Sequence, residues 1–449
     1  MLHAFLGLML RFILLISAVL VCNVINAQVI YTIAGNGVAG FGGDNAGVAT
    51  CMLDHPFSVA ANSAGDVFIA DRLNHRIRKI DVSGIVTTIA GNGSAGYNGD
   101  NIAATGAQLN DPNGIALDAA GSVYVADRQN NRVRRIDTSG LITTVAGTGT
   151  NGFGGDGAAA TAAMLNNPRG VAVDRDGIIF IADQGNQRVR KIGATGIIYT
   201  IAGTGAGGYN GDNIAATAAQ LHNPYSVATD TTGNLYIADV DNERIRKITP
   251  AGIIVTIAGT GASGFGGDNG PATGAMLSEP IGIAADNAGN VFIADDYNSR
   301  IRQVDAGGTI HTIAGNGTSG YNGDGIAATD AELSNATGIA VSADGHLLIA
   351  DYNNNRVRKM DEPTAVVTTA GNSFRIFPNP SAGVINCYMP STTDEPLNIV
   401  ISDLCGNTVM VAAGLTNHPV AIVVTVPGMY IIKLATARQN YYSKVSVLP

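Results

Sequence analysis

One segment occurs six times along this chain at a constant spacing of 56 residues. The tetrapeptide Ile33-Ala34-Gly35-Asn36 has counterparts that begin at residues 89, 145, 201, 257 and 313, with a degenerate seventh at residue 369. No residue has been inserted or lost between the copies. A fixed period of this size is typical of arrays in which each unit buries its apolar faces only against its neighbours. The chain is therefore expected to fold as a solenoid or a propeller.

Each copy contains four short runs of strand-forming residues. In the second copy these runs span residues 114–118, 122–127, 131–136 and 141–146, and Gly or Asn separates them. The second run is continuously apolar rather than alternating, which predicts a strand buried on both faces. The 58 glycines and the low charged content of 14% also favour many tight turns over long helices. Four short antiparallel strands per copy describe one blade of a β-propeller.

The repeated segment resembles the NHL repeat family. In the first copy, residues 65–71 are Gly-Asp-Val-Phe-Ile-Ala-Asp and residues 74–79 are Asn-His-Arg-Ile-Arg-Lys, and five further copies keep this pattern with small departures such as Gln303. The resemblance implies an all-β fold with a six-bladed β-propeller, which we place at residues 28–371.

Closure of the ring leaves one strand too many. There are six sets of the first three strands but seven candidates for the fourth, from residues 29–34 to residues 366–370. We predict that the N-terminal strand completes the last blade, because joining the ends removes exposed sheet edges. The strand near Val366 would then be an extension or a linker. Odd copies carry Phe41 and its equivalents where even copies carry Tyr97, which indicates a two-blade unit repeated three times.

An Asp and an Arg flank the turn between the second and third strands in every copy. On a hairpin they should be cross-strand neighbours, and such pairs contribute about 0.2 to 1 kcal/mol. We interpret them as structural ion pairs, since a catalytic residue is rarely needed six times. The predicted pairs are Asp71 with Arg76, Asp127 with Arg132, Asp183 with Arg188, Asp239 with Arg244, Asp295 with Arg300, and Asp351 with Arg356.

Nucleic acid is not an expected partner. Some NHL proteins bind RNA through a basic face, and most of the basic residues here lie in the third strands. These residues are nevertheless spread around the ring, and the net charge is −9. Binding of nucleic acid requires a concentrated positive surface.

Recognition is expected on the face where long loops gather. The linkers between blades and the turns between second and third strands emerge on the same face of a propeller, and loops on a rigid scaffold commonly carry binding sites. An aspartate in each linker is a candidate ligand-binding residue, with calcium as a conceivable cofactor and a turn-capping role as the alternative. These candidates are Asp44, Asp100, Asp156, Asp212, Asp268 and Asp324.

Enzymatic relatives of this architecture hold a metal through histidines or acidic residues near the channel. Here only His55 and His222 immediately precede first strands, and they are one position out of phase. They join the candidate ligand-binding residues, but no third histidine is placed to complete a zinc site. We therefore assign no catalytic residue and no metal site.

The N-terminal 27 residues are typical of a secretory signal peptide cleaved after Ala27. The alternative is an uncleaved membrane anchor, because the apolar stretch of residues 4–21 is almost long enough to span a bilayer. After cleavage no stable transmembrane segment is expected. Cys387 and Cys405 could form a disulfide bond or stay as two buried thiols.

Residues 372–449 lie outside the repeat register. Apolar runs at residues 397–404, 408–412, 421–426, 429–434 and 444–447 predict a small β-sandwich. The segment resembles the type A sorting domain of the type IX secretion system through Phe377-Pro378-Asn379-Pro380 and the later Gly428-Met429-Tyr430 stretch. The resemblance implies export by the type IX machinery to the cell surface or the medium. The alternative is an ordinary adhesive β-sandwich.

Three functional hypotheses follow from the sequence. The first is a secreted or outer-membrane surface protein that binds a protein, peptide or glycan on its loop face without catalysis. The second is a metal-dependent lyase or hydrolase with a site at the channel mouth. The third is a purely architectural surface protein.

Overall fold

The computed structural model of the chain describes residues 28–361 and seven strands between residues 375 and 447. Residues 28–361 form six antiparallel sheets, each with four main strands in meander order. The predicted six-bladed β-propeller is therefore confirmed. Every helical segment in the described part of the chain is a short 3₁₀ turn.

The strand positions repeat from blade to blade. The first strands are Pro56–Ala61, Pro112–Leu117, Pro168–Val173, Pro224–Thr229, Pro280–Ala285 and Ala336–Val341. The second strands are Val67–Asp71, Val123–Asp127, Ile179–Asp183, Leu235–Asp239, Val291–Asp295 and Leu347–Asp351. The third strands are Arg76–Ile80, Arg132–Ile136, Arg188–Ile192, Arg244–Ile248, Arg300–Val304 and Arg356–Asp361. The fourth strands of blades one to five are Ile85–Ala90, Leu141–Ala146, Ile198–Ala202, Ile253–Ala258 and Ile310–Ala314.

The ring closes through the N-terminal strand. Val29–Ala34 runs antiparallel to the third strand of blade six, with Ile30 opposite Met360 and Thr32 opposite Arg358. It supplies the fourth strand of that blade, as predicted, so the blade combines both ends of the propeller. The surplus strand predicted near Val366 lies outside the described residues.

Each linker between blades adds short elements to the outer edge of the next blade. Two-residue strands pair with the fourth strand in four blades, at Ala46–Gly47, Ile102–Ala103, Ile214–Ala215 and Ile326–Ala327. A 3₁₀ turn lies in every linker, at Val48–Thr50, Ala104–Gly106, Ala160–Ala162, Ala216–Ala218, Ala272–Gly274 and Ala328–Asp330. Four turns between second and third strands are also 3₁₀, at Arg128–Asn130, Gln184–Asn186, Val240–Asn242 and Asp296–Asn298.

The core lies between the faces of neighbouring blades. Second-strand residues such as Ile69 and Ala70 are fully buried, which confirms the prediction of strands covered on both faces. Each linker also contains a fully buried leucine. The first of these, Leu53, packs in the apolar cluster that joins blades six and one. Apolar contact across the blade interfaces therefore holds the ring together.

First strands of successive blades contact one another around the whole ring. A Cβ atom on Gly170 would lie only 2.6 Å from the carbonyl oxygen of Tyr225 in the next blade. Equivalent positions hold only glycine or serine, as in Gly114 and Ser58. Small residues at this position allow the inner strands to approach closely.

The seven C-terminal strands form two sheets. Arg375–Asn379, Val384–Tyr388 and Val420–Val423 make the smaller one. Pro396–Asp403, Thr408–Leu415, Gly428–Ala435 and Asn440–Val447 make the larger one. The predicted small β-sandwich is confirmed, with two additional strands at its start. Residues 1–27, the 371/372 domain boundary and Cys405 lie outside the described residues, so the predictions that involve them stay predictions.

Candidate functional site

A fully buried arginine ties each blade to its linker. In blade four, Arg246 Nη1 donates to Asp239 Oδ2 over 3.3 Å, and Nη2 donates to Asp212 Oδ1 over 3.0 Å. Arg246 and Asp239 are both 0% exposed. The same arrangement joins Arg78 to Asp71 and Asp44, Arg134 to Asp127 and Asp100, Arg190 to Asp183 and Asp156, Arg302 to Asp295 and Asp268, and Arg358 to Asp351 and Asp324.

The predicted ion pairs were wrong in the choice of arginine. Asp239 does face Arg244 in the sheet register, but its carboxylate accepts from the Asn242 amide, the His222 N–H and Arg246. Arg244 donates to the carbonyl oxygens of Asn242 and Thr260 instead. The other five predicted partners, Arg76, Arg132, Arg188, Arg300 and Arg356, likewise bind loop carbonyl oxygens.

These outer arginines stack on the alternating aromatic residues. The Arg244 Cζ atom lies 3.9 Å from the centre of the Tyr209 ring, and Arg76 lies 3.7 Å from that of Phe41. Such cation–π contacts contribute about 0.5 to 1 kcal/mol at exposed sites. The alternation of Phe and Tyr therefore belongs to a structural stack that recurs in all six blades.

The six linker aspartates are counter-ions of their own blades. Asp212 accepts from Arg246 and also from the Thr256 hydroxyl at 3.0 Å, and its side chain is 27% exposed. These contacts give the aspartates a structural role as counter-ions, which differs from the turn capping that the sequence analysis offered as the structural alternative. Among the described residues, no group of three or more His, Cys, Asp or Glu side chains could hold a metal ion. Their suggested roles in ligand or calcium binding stay untested predictions.

The two candidate histidines lie in different blades and have different neighbours. His55 Nδ1 is 2.6 Å from Asp54 Oδ1, and its ring packs edge-on against Tyr352 with centroids 4.7 Å apart. His222 Nε2 is 3.5 Å from Asp241 Oδ2. Within the described residues, no contact joins the two histidines.

Three positions per blade lie around the propeller axis at the ends of the first and second strands, and we call the region that they form the channel mouth. The first precedes the first strand, the second is the second residue of that strand, and the third follows the second-strand Asp. The first position holds His55, Asp111, Asn167, Asn223, Glu279 and Asn335. The second holds Phe57, Asn113, Arg169, Tyr225, Ile281 and Thr337. The third holds Arg72, Arg128, Gln184, Val240, Asp296 and Tyr352.

Side chains from separate blades meet across this mouth. Arg169 of blade three has its Cζ atom 4.0 Å from the Tyr225 ring centre and 6.0 Å from that of Phe57 in blade one. Arg72 donates to the hydroxyl of Tyr352 in blade six and lies 5.7 Å from its ring centre. Aromatic rings and guanidinium groups therefore surround the axis at the level where the first strands begin.

One half of the mouth is basic. Asp111 accepts hydrogen bonds from both Arg72 and Arg128, and its side chain is nearly buried. Burial opposes ionisation of this carboxyl, but the hydrogen bond and charge of Arg72 and the charge of Arg128 hold its pKa below the usual value. Burial lowers the pKa of Arg169 to about 10, so its guanidinium remains charged at neutral pH.

The opposite half is acidic. Asp296 is 3% exposed, its Oδ2 accepts from the Asn335 amide at 3.2 Å, and its Oδ1 has no hydrogen-bond partner within the described part of the chain. Burial and the neighbouring carboxylates of Glu279 and Asp295 raise the pKa of Asp296 to about 7. Burial also raises the pKa of Glu279 and of Glu243. The mouth is therefore electrically asymmetric.

Sequence reasoning missed most mouth residues because it followed what the repeats share. The framework positions, such as Asp71 and Asn74, hold the same residue in all six copies, whereas the second and third mouth positions hold at least five different residue types each. The sequence signal that could have found the mouth residues is this contrast between framework positions that stay the same and mouth positions that differ among the six copies. Positions that vary between identical scaffolds are the usual place for recognition.

Family models match both parts of the chain. Residues 93–153, 148–207 and 262–322 match the model of the teneurin NHL domain, and residues 333–360 match the NHL repeat. The chain is an NHL-repeat protein. Its residues 375–448 match the secretion system C-terminal sorting domain, which confirms the predicted assignment and marks this NHL-repeat protein for type IX secretion to the cell surface or outside. Among the described residues no helix is long and apolar enough to cross a membrane.

Individual relatives agree with this assignment. The NHL-repeat protein is 28% identical over 331 residues to Protein SUPPRESSOR OF QUENCHING 1, chloroplastic, of Arabidopsis thaliana, covering 70% of this chain and 31% of the relative. It is 30% identical over 344 residues to human Teneurin-4, covering 68% and 12% respectively. The chain thus spans a third or less of these relatives. An auxiliary nutrient binding protein of Bacteroides ovatus has a similar fold, with a TM-score of 0.55, 16% identity and coverage of 74% and 76%.

Proposed function

We propose that this NHL-repeat protein binds a protein, peptide or glycan ligand at the channel mouth without converting it chemically. One observation carries the proposal: six copies keep the same buried framework while the residues around the mouth differ. A scaffold under structural constraint alone has no need for such variation at one end of its channel. The similarity to a nutrient binding protein extends to the fold alone, at 16% identity.

The chemistry of the mouth is suited to recognition. Phe57, Tyr225 and Tyr352 offer ring surface, and the partly exposed Gln184 and Asn223 offer amide groups that both donate and accept hydrogen bonds. Aromatic and arginine residues carry a large share of binding energy in interfaces. These side chains lie on the ends of strands that are fixed in the ring, which limits the entropy lost on binding.

Screening the full chain on glycan and peptide arrays tests the proposal. We expect the wild type to bind a defined set of compounds and Tyr225→Ala, at the mouth, to lose that binding. The matched control is Tyr199→Ala, which removes a ring that is 52% exposed on an outer strand of blade three. Equal loss in both variants would contradict a mouth site, and blank arrays would favour the architectural alternative.

The enzymatic alternative has its own observation, the short contact between His55 and Asp54 at the mouth. A paired carboxylate orients an imidazole, as in many acid–base and metal sites. Metal analysis of the purified chain separates the two functions. Stoichiometric zinc or calcium, lost together with hydrolytic or lyase activity in His55→Ala, would favour the enzyme.

A further inference from the structure

The basic half of the channel mouth contains a guanidinium group without a carboxylate partner. Arg169 Nε donates to Gln184 Oε1 over 3.2 Å, and Nη1 makes a long hydrogen bond of 3.4 Å to Asn113 Oδ1. Both acceptors are neutral amides. Among the described residues, no carboxylate lies within ion-pair distance of Arg169. Its positive charge is mostly removed from water but not neutralised locally.

The neighbouring charges add to this excess. Arg72 and Arg128 already share the single carboxylate of Asp111, so three guanidinium groups face one acid at this side of the mouth. The Nε atom of Arg128 is also buried without a hydrogen-bond partner in the described part of the chain. An isolated cation in such a place costs free energy unless an anion joins it. The arrangement therefore favours a ligand that brings negative charge.

The free donors of Arg169 define the shape of that anion. A guanidinium has five N–H groups in one plane, and the contacts to Gln184 and Asn113 use two of them. The remaining N–H groups on Nη1 and Nη2 include the pair that binds a carboxylate through two parallel hydrogen bonds. The Tyr225 ring, 4.0 Å from Cζ, covers one face of the guanidinium and helps to keep the group in position.

The side chains beside Arg169 are suited to hydroxyl groups and ring faces rather than to further charge. Gln184 and Asn223 place two partly exposed amides along this side, joined by a hydrogen bond from Gln184 Nε2 to Asn223 Oδ1 at 3.0 Å, whereas Asn113 is fully buried beneath Arg169. Amides can pair with hydroxyls as donor and acceptor at once. Phe57 and Tyr225 add apolar ring surface at the same level.

We propose that the basic half of the channel mouth binds an acidic saccharide, with a sugar carboxylate held by the guanidinium of Arg169. This inference rests on the proposed binding function and specifies its ligand class. The carboxylate supplies the missing anion, the partly exposed amide of Gln184 accepts from and donates to sugar hydroxyls, and Tyr225 packs against the sugar ring.

Calorimetric titration of the full chain with an oligogalacturonate tests the inference. We expect Arg169→Gln to weaken binding by about 10- to 100-fold, the loss that follows removal of a charged hydrogen-bond donor. Arg169→Lys should restore little, because an ammonium group cannot donate in a fork. The matched control is Arg175→Gln, which removes the same charge from an exposed turn at the other end of blade three and should bind like the wild type. Melting temperatures of all variants verify that they fold.

Two further probes identify which part of the ligand is read. The methyl ester of the same oligogalacturonate should bind at least about tenfold more weakly to the wild type, because it lacks the charge. Oligoglutamate carries carboxylates without sugars and should also bind more weakly. Equal binding of acid and ester, or equal effects of Arg169→Gln and Arg175→Gln, would overturn the carboxylate assignment. Tighter binding of oligoglutamate would overturn the saccharide assignment.

A failure of this inference is distinguishable from a failure of the proposed function. If Tyr225→Ala abolishes binding of some other array compound while oligogalacturonate does not bind, the acidic saccharide is excluded and the mouth remains the binding site.

Discussion

Replacing Arg246 by methionine is expected to destabilise the propeller far more than the same change at Arg244, two residues earlier on the strand. Arg246 is fully buried and pairs with Asp239, which is also fully buried. Its removal leaves that carboxylate with the Asn242 amide and the His222 N–H alone. Arg244 loses a contact with a partly exposed ring and two hydrogen bonds to carbonyl oxygens.

The two costs differ severalfold. Breaking a buried ion pair on one side costs about 3 to 5 kcal/mol, whereas we expect about 1 to 2 kcal/mol from Arg244→Met. In a propeller of this size the Tm changes by about 1 to 2 °C per kcal/mol, so the expected losses are about 3 to 10 °C for Arg246→Met and about 1 to 4 °C for Arg244→Met. Differential scanning calorimetry at pH 8 measures both.

The pH dependence provides a second check on the same carboxylate. Burial already raises the pKa of Asp239 to about 6 against the lowering effects of Asn242, His222 and Arg246. Without Arg246 the pKa rises further, and the protonated acid tolerates burial. The loss of Tm should therefore be smaller at pH 5 than at pH 8, and Asp239→Asn should recover part of it in the Arg246→Met background. Equal losses for the two arginine variants would refute the assignment of the buried pair.

Three other perturbations test the fold and the mouth. Gly170→Ala should destabilise the propeller by about 1 to 3 kcal/mol, because the added Cβ atom would collide with the first strand of the next blade. The control is Gly193→Ala, whose added Cβ atom would have no other atom within 4 Å and should leave the Tm in the same calorimetric scan unchanged. Ile30→Ala should lower the free energy of unfolding by about 2 to 5 kcal/mol, because it leaves a cavity beside the closing strand. Val38→Ala, at an exposed position, should change it little, and chemical denaturation measures both variants. The raised pKa of Asp296, about 7 instead of 3.8, means that its stabilising contribution is present below pH 4 and lost as the pH rises to 7. Asp296→Asn should therefore gain stability over the wild type across that window, by at most about 1.4 kcal/mol per pH unit, in Tm measured against pH.

The sequence allowed the fold to be predicted in detail because the repeat imposes the same local choices six times. Six copies of one pattern gave the number of blades, the order of strands and the burial of residues such as Ile69 and Ala70. The rule that proteins avoid exposed sheet edges was sufficient to choose Val29–Ala34 as the strand that closes the ring. Apolar periodicity likewise predicted most strands of the C-terminal sandwich.

The candidate site could not be predicted in the same way. Sheet register places Asp239 opposite Arg244, and only the three-dimensional course of the linker shows that Arg246 is enclosed between two carboxylates. The mouth residues were missed for a related reason. Arg169 and Phe57 are more than a hundred residues apart and carry no shared motif, so their proximity follows from ring closure alone.

Hydrogen–deuterium exchange of the full chain, with and without the tightest-binding array compound, measures whether the ligand occupies the channel mouth. We expect protection in peptides that contain the starts of the first strands, such as residues 55–57, 111–113 and 167–169, and the turns after the second strands. Protection confined to the outer strands or to residues 372–449 would contradict it.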